Sequence, residues 1–123
     1  MTMPEIASEQ RAVNDYRCGR GNKITAHESD PGTTGGGLIA TTPASGTTTW
    51  PSSTDGTASD AGYAVSLGSP VTLQVPAGKT VGWYGIWNGS TFLRGKALDT
   101  PITVGSNPVS IDITPKTRYK GGQ

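Results

Sequence analysis

The stretch from Val71 to Leu98, VTLQVPAGKTVGWYGIWNGSTFLRGKAL, decides the fold class. Val71, Leu73 and Val75 alternate with Thr72 and Gln74, the two-residue period of a strand with one face buried. Pro76-Ala77-Gly78-Lys79 then reads as a turn, because proline presets φ and glycine tolerates a positive one. A second strand over Thr80–Trp87 carries Val81, Trp83, Tyr84, Ile86 and Trp87. Asn88-Gly89 supplies a tight hairpin, with both residues expected at positive φ, and Thr91–Leu98 returns as a third antiparallel strand.

Most of the chain's Leu, Ile, Val and Phe lie between Val65 and Ile113, so the core is expected there. Short runs bounded by Gly, Pro, Asn or Asp add strands at Tyr63–Leu67, Ile102–Val104 and Val109–Ile113. Six short strands joined by turns predict an all-β fold, a single small antiparallel β-sandwich, rather than alternating strands and helices. Eighteen glycines and nine prolines in 123 residues argue the same way, since each is costly inside a helix.

The flanking segments read differently. Thr2-Met3-Pro4-Glu5 has the residues of a helix start, and Ile6, Val13 and Tyr16 form a narrow apolar stripe on a short helix ending before Gly19 and Gly21. Lys23–His27 fits a short strand, and Ser29-Asp30-Pro31-Gly32 a turn. From Ser29 to Asp60 the composition is dominated by Gly, Ser, Thr and Pro, with Leu38, Ile39 and Trp50 as its large apolar residues. A stretch of that length without its own pattern predicts an extended arm laid on a neighbouring surface. Its threonines favour strand pairing over a free linker. The expected organisation is therefore a helix and strand over 1–28, an extended polar arm over 29–60, the sandwich over 61–114 and a basic tail over 115–123.

Composition excludes several classes of function. A formal net charge of +1 gives no general attraction to nucleic acid or to an anionic membrane surface. Cys18 is the single cysteine, so neither an internal disulfide nor a multi-thiolate metal site is expected. No apolar run reaches the roughly 20 residues of a membrane span, and the N-terminus lacks the pattern of a signal peptide. The chain is expected to be made in a cytoplasm.

The catalytic inventory is equally thin. His27 is the single histidine, and His27-Glu28 has no second histidine four residues on. It reads as a surface or turn residue. Arg17 and Arg20 beside Cys18 would depress a thiol, although a buried, inert cysteine is the plainer reading. Gly35-Gly36-Gly37 lacks the Lys-Ser/Thr of a phosphate loop, and Asp30, Asp55 and Asp60 lack the spacing of a calcium loop. No catalytic residue, cofactor or metal site is expected.

Trp83, Tyr84 and Trp87 are the most distinctive feature. In a strand the two indoles share one face and Tyr84 takes the other. They fill a thin core or a contact with a partner chain, and Gly82 and Gly85 beside them suit close packing on large rings. The competing reading is a carbohydrate-binding platform formed by Trp83 and Trp87. Basic residues near both ends, among them Arg17, Arg20, Lys116 and Arg118, would form one patch if the termini meet. That patch reads as solvated surface or as an anchor on an acidic neighbour.

Two stretches carry a resemblance. His27-Glu28-Ser29-Asp30-Pro31-Gly32-Thr33-Thr34-Gly35 resembles the H-x-x-DPG-T-x-G turn of small virion proteins of tailed bacteriophages, and Val75–Leu98 resembles their VPAG…GLW…G…FL…GAL segment. The resemblance implies a β-sandwich without enzymatic activity, working as a head-decoration, minor tail or tail-fibre-like protein. It implies other virion proteins (the major capsid or tail protein) and further copies of the same chain as partners. Leu38, Ile39, Trp50, Trp83, Trp87 and Tyr16 are the candidate interface residues.

Overall fold

The computed structural model describes residues 6–120. The Thr2–Glu5 helix start and the last three residues lie outside the described residues. Helix α1 covers Ala7–Gly19 and is followed by strand β1, Lys23–His27. Two short strands follow, β2 (Gly46–Thr47) and β3 (Thr54–Asp55), then one 3₁₀ turn at Ala58–Asp60. The rest is strand: β4 (Ala64–Leu67), β5 (Val71–Val75), β6 (Thr80–Asn88), β7 (Thr91–Thr103), β8 (Val109–Ile113) and β9 (Lys116–Tyr119).

The fold is mostly β, with antiparallel pairing throughout. One sheet runs β2-β1-β6-β7, a second β3-β4-β9, and β5 pairs with β8. The alternation in β5 is realised: Val71, Leu73 and Val75 are buried and meet Ile113, Ile111 and Val109 of β8. The inner face of the four-stranded sheet supplies Ile24, Ala26, Val81, Tyr84 and Ile86, and these share one apolar cluster with β5 and β8. That is two sheets packed face to face, each contributing alternate residues.

Three expectations about this region change. β5 and β6 are not hairpin partners: the Pro76–Lys79 turn carries the chain from one sheet to the other. The strands expected at Thr91–Leu98 and Ile102–Val104 are one strand, β7, whose two halves both pair with β6 across an irregularity between the Val81 and Trp83 pairings. Pro101, which lacks an N–H, sits in that irregular stretch at the sheet edge. The β6–β7 loop is Gly89-Ser90, flanked by the Asn88–Thr91 pair; Gly89 has φ +58° while Asn88 is not in the left-handed region.

The flanks are more integrated than their composition suggests. β1 lies inside the four-stranded sheet, between β2 and β6. The stretch 29–60 does not stand off as an arm. Ile39 is 2% exposed in the main core, and its amide donates to Ala26 O at 3.0 Å. Thr48 N donates to Asn22 O at 2.9 Å and Gly56 N to Tyr63 O at 2.8 Å, so β2 and β3 are tied to the body by backbone bonds. The basic tail is also structure: Lys116–Tyr119 pairs with β4, Thr117 is buried, and Lys116 N donates to Tyr84 Oη at 2.8 Å.

The helix docks on β3, β4 and β9 of the same chain. Its apolar stripe is not what it buries, since Ile6 and Tyr16 are 74% and 68% exposed. The buried positions are Asn14 and Cys18, one turn apart. Asn14 Nδ2 donates to Ser53 Oγ at 2.8 Å and to Thr117 O at 3.1 Å, leaving its Oδ1 without a partner. Asp15 accepts from Ser53 N, and Arg11 pairs with Asp55 at 2.7 Å. This is polar docking, invisible to a search for an apolar face.

Candidate functional site

The outer face of the four-stranded sheet is where the sequence's distinctive residues gather. Ile24 and Ala26 turn inward, which puts Lys23, Thr25 and His27 on the opposite face. β6 lies beside β1 with His27 opposite Trp83, Thr25 opposite Gly85 and Lys23 opposite Trp87. In place of solvent, the turn after β1 folds back over this face. Pro31 is buried, Gly35 N and Gly36 N both donate to Pro31 O, and Glu28 N donates to Gly37 O.

Four groups there form a continuous relay. Trp87 Nε1 donates to Thr25 Oγ1 at 2.8 Å, and Thr25 Oγ1 lies 2.6 Å from His27 Nε2. His27 Nδ1 lies 2.8 Å from Gly36 O. A carbonyl accepts only, so Nδ1 carries the proton and donates. Nε2 is then the acceptor of the Thr25 hydroxyl, whose own oxygen receives the indole N–H. In this neutral tautomer every donor has one acceptor. Burial pushes the His27 pKa below its ordinary value, against a smaller opposite pull from the Gly36 carbonyl.

Glycines make room for this arrangement. A Cβ at Gly85 would sit 2.7 Å from His27 Nε2 and 2.9 Å from Thr25 Oγ1, so the relay crosses β6 where there is no side chain. Gly35 has φ +79°, and a Cβ there would lie 2.6 Å from the Trp87 ring. Phe92 closes the group edge-on, 5.1 Å from Trp87 and 6.3 Å from His27 between ring centroids. Gly82, by contrast, touches no ring.

His27 is therefore not a surface or turn residue: it is fully buried, with both ring nitrogens committed. Cys18 is buried too, and burial raises its pKa above the ordinary thiol value, with weaker opposite effects from Ser66, Thr117 and Arg94. The depression expected from Arg17 and Arg20 is not what acts on the thiol: desolvation dominates, and the arginine that opposes it is Arg94. No cluster of three or more His, Cys, Asp or Glu able to hold a metal exists among the described residues. Asp55 pairs with Arg11, Asp60 is held below the usual carboxylate range by Lys116 and then Arg118, and Asp30 Oδ1 accepts from Gly32 N to fix the turn.

The six candidate interface residues are not brought together. Ile39 is core, while Leu38 beside it is 53% exposed and bridges to His27. Trp50 is half-buried and its Nε1 donates to Gly21 O at 3.0 Å. Gly21 and His27 are six extended residues apart, about 20 Å, so Leu38 and Trp50 sit at opposite ends of β1. Tyr16 is exposed on α1. Trp83 and Trp87 are half-buried on the outer face. Trp87 offers no open ring: Gly35 packs on one edge, Phe92 meets it side-on, and Lys23 Nζ sits 5.4 Å from its centroid.

A groove of about 660 Å³ separates the end of α1 from residues 47–52, with Asp15, Cys18, Arg20 and Trp50 on its walls.

Among the described residues, α1 and β9 meet and bring basic residues from both flanks together. Arg17 Nη1 donates to Arg118 O at 2.9 Å. Arg94 and Lys96 of β7 reach the same place, and Arg94 Nη2 donates to Thr117 Oγ1 at 2.7 Å. Sequence reasoning missed these two because alternate basic residues on a strand look like ordinary solvated positions.

No family model, curated protein or solved structure matches this chain. No helix among the described residues is long and apolar enough to cross a membrane.

Proposed function

We propose that this chain is a non-enzymatic structural component of a tailed-phage virion, an accessory protein on the capsid surface that stabilises neighbouring subunits. The observation that carries the proposal is how the two stretches with a phage-protein resemblance meet. The His27–Gly35 turn lies on the sheet formed by the Val75–Leu98 segment: His27 pairs with Trp83, a Cβ at Gly35 would meet the Trp87 ring, and one at Gly95 would meet Pro31 at 2.7 Å. That two separated stretches carrying the same resemblance pack as one unit supports reading them together. The side chains able to do chemistry, His27 and Cys18, are occupied inside the body.

Docking then falls to exposed apolar residues outside that unit, Leu38, Tyr16 and Leu67. The stretch 29–60 contributes little beyond Leu38, because Ile39 and Thr48 are already buried in the chain itself. The test is co-sedimentation of the purified protein with separated capsids and tails of the phage that encodes it. Saturable binding to capsids is expected, reduced about tenfold or more when Leu38→Ser and Tyr16→Ala are combined, with an unchanged melting temperature. Binding to neither particle overturns the proposal, and binding to tails alone moves the protein to a minor tail position.

A further inference from the structure

Between α1, β7 and β9 lies a cavity of about 140 Å³ bordered by Arg17, Arg94, Lys96, Lys116 and Arg118. Lys116 and Arg118 share one carboxylate, that of Asp60, at 2.7 and 2.9 Å. The other three have no carboxylate partner among the described residues. Arg94 is the extreme case. It is held among Ile86, Thr117 and the helix end, and both burial and the neighbouring Arg17 work against its charge. An arginine stays protonated regardless, so the fold keeps a partly desolvated cation beside a second one, neither in an ion pair among the described residues.

We infer that this cavity is a binding site for a phosphate-type oxyanion, seated among the guanidinium groups of Arg94 and Arg17 and the ammonium of Lys96. The inference is independent of the virion proposal. Arg94 spends Nη2 on Thr117 Oγ1, which fixes the plane of the guanidinium and leaves the rest of its five-donor fork for a ligand. Arg17 is fixed likewise through Arg118 O. The space corresponds to about four or five waters at roughly 30 Å³ each, enough for a tetrahedral anion and too small for a nucleobase beside it. A single carboxylate would leave most of the positive charge unmatched. A phosphate group, with close to two negative charges and three or more acceptor oxygens, meets three cations.

The experiment is calorimetric titration of the full chain, in low-salt chloride buffer, with inorganic phosphate, glycerol 3-phosphate and acetate. One saturable site per chain for phosphate is expected, with acetate at least about tenfold weaker. Tighter binding of the glycerol ester assigns a phosphate monoester as the natural ligand, and equal or weaker binding assigns free phosphate. Arg94→Gln weakens phosphate binding by about tenfold or more, and Lys96→Gln weakens it in the same direction. Absence of saturable phosphate binding overturns the site, as do equal affinity for acetate and affinity unchanged in Lys96→Gln. A single-stranded oligonucleotide that binds where inorganic phosphate does not also overturns it.

Discussion

Thr25→Val is expected to destabilise the protein by about 2–6 kcal/mol, although it changes shape hardly at all. Valine matches threonine in volume and keeps its strand preference, so β1 pairs with β6 as before. What disappears is the hydroxyl in the middle of the relay. Thr25 is 3% exposed and His27 fully buried, so solvent does not reach the lost Thr25–His27 bond, while the Trp87 bond is part-buried. Trp87 Nε1 loses its acceptor and His27 Nε2 its donor, two stranded polar groups at about 1–3 kcal/mol each. The change is read from chemical denaturation as a lower midpoint with an unaltered slope, since the surface exposed on unfolding stays the same. Thr25→Ser, which keeps the hydroxyl, is expected to lose much less.

Ile39→Ala is the second large effect, about 2–5 kcal/mol by the usual cost of a buried aliphatic cut to alanine. The same substitution at Leu38, one residue away and 53% exposed, is expected to change stability by less than about 0.5 kcal/mol. The contrast discriminates between two pictures of residues 29–60. If this stretch were an arm waiting for a neighbour, both changes would be nearly neutral in the isolated chain. With Ile39 at 2% exposure in the cluster with Ile24 and Leu73, only Leu38 is neutral.

Where the sequence was readable, the signal was local. Val71-Thr72-Leu73-Gln74-Val75 alternates because one face is wet, and Val109–Ile113 repeats the pattern on the strand that pairs with it. The Asn88-Gly89-Ser90 turn lies between long apolar runs, so the hairpin was legible even though only Gly89 takes the left-handed conformation. Asp30-Pro31-Gly32 was readable for the same reason.

The rest depends on contacts distant in sequence. β5 and β6 separate into different sheets because the best partner for β5 is β8, over thirty residues away, and no property of the short turn between them records that. Residues 29–60 have no apolar period. They are ordered by single backbone bonds such as Thr48 N to Asn22 O, and by a few inserted side chains. The helix reads apolar along Ile6, Val13 and Tyr16 but docks through Asn14, because polar partners wait in Ser53 and Thr117. His27 alternates outward from the main core, and only the fold-back of the next turn buries it. The cationic cavity needs α1, β7 and β9 in place before Arg17, Arg94 and Lys96 meet.

The central claim is that residues 29–60 belong to the body of the protein and need no neighbour to be ordered. Amide hydrogen exchange on the isolated chain tests it most directly, read at Ile39, Thr48 and Gly56, whose N–H groups donate to Ala26, Asn22 and Tyr63. The structure predicts protection at all three, with Ile39 close to the level of the core residue Leu73. Exchange of all three at the rate of an unstructured chain, with Leu73 still protected, would contradict it.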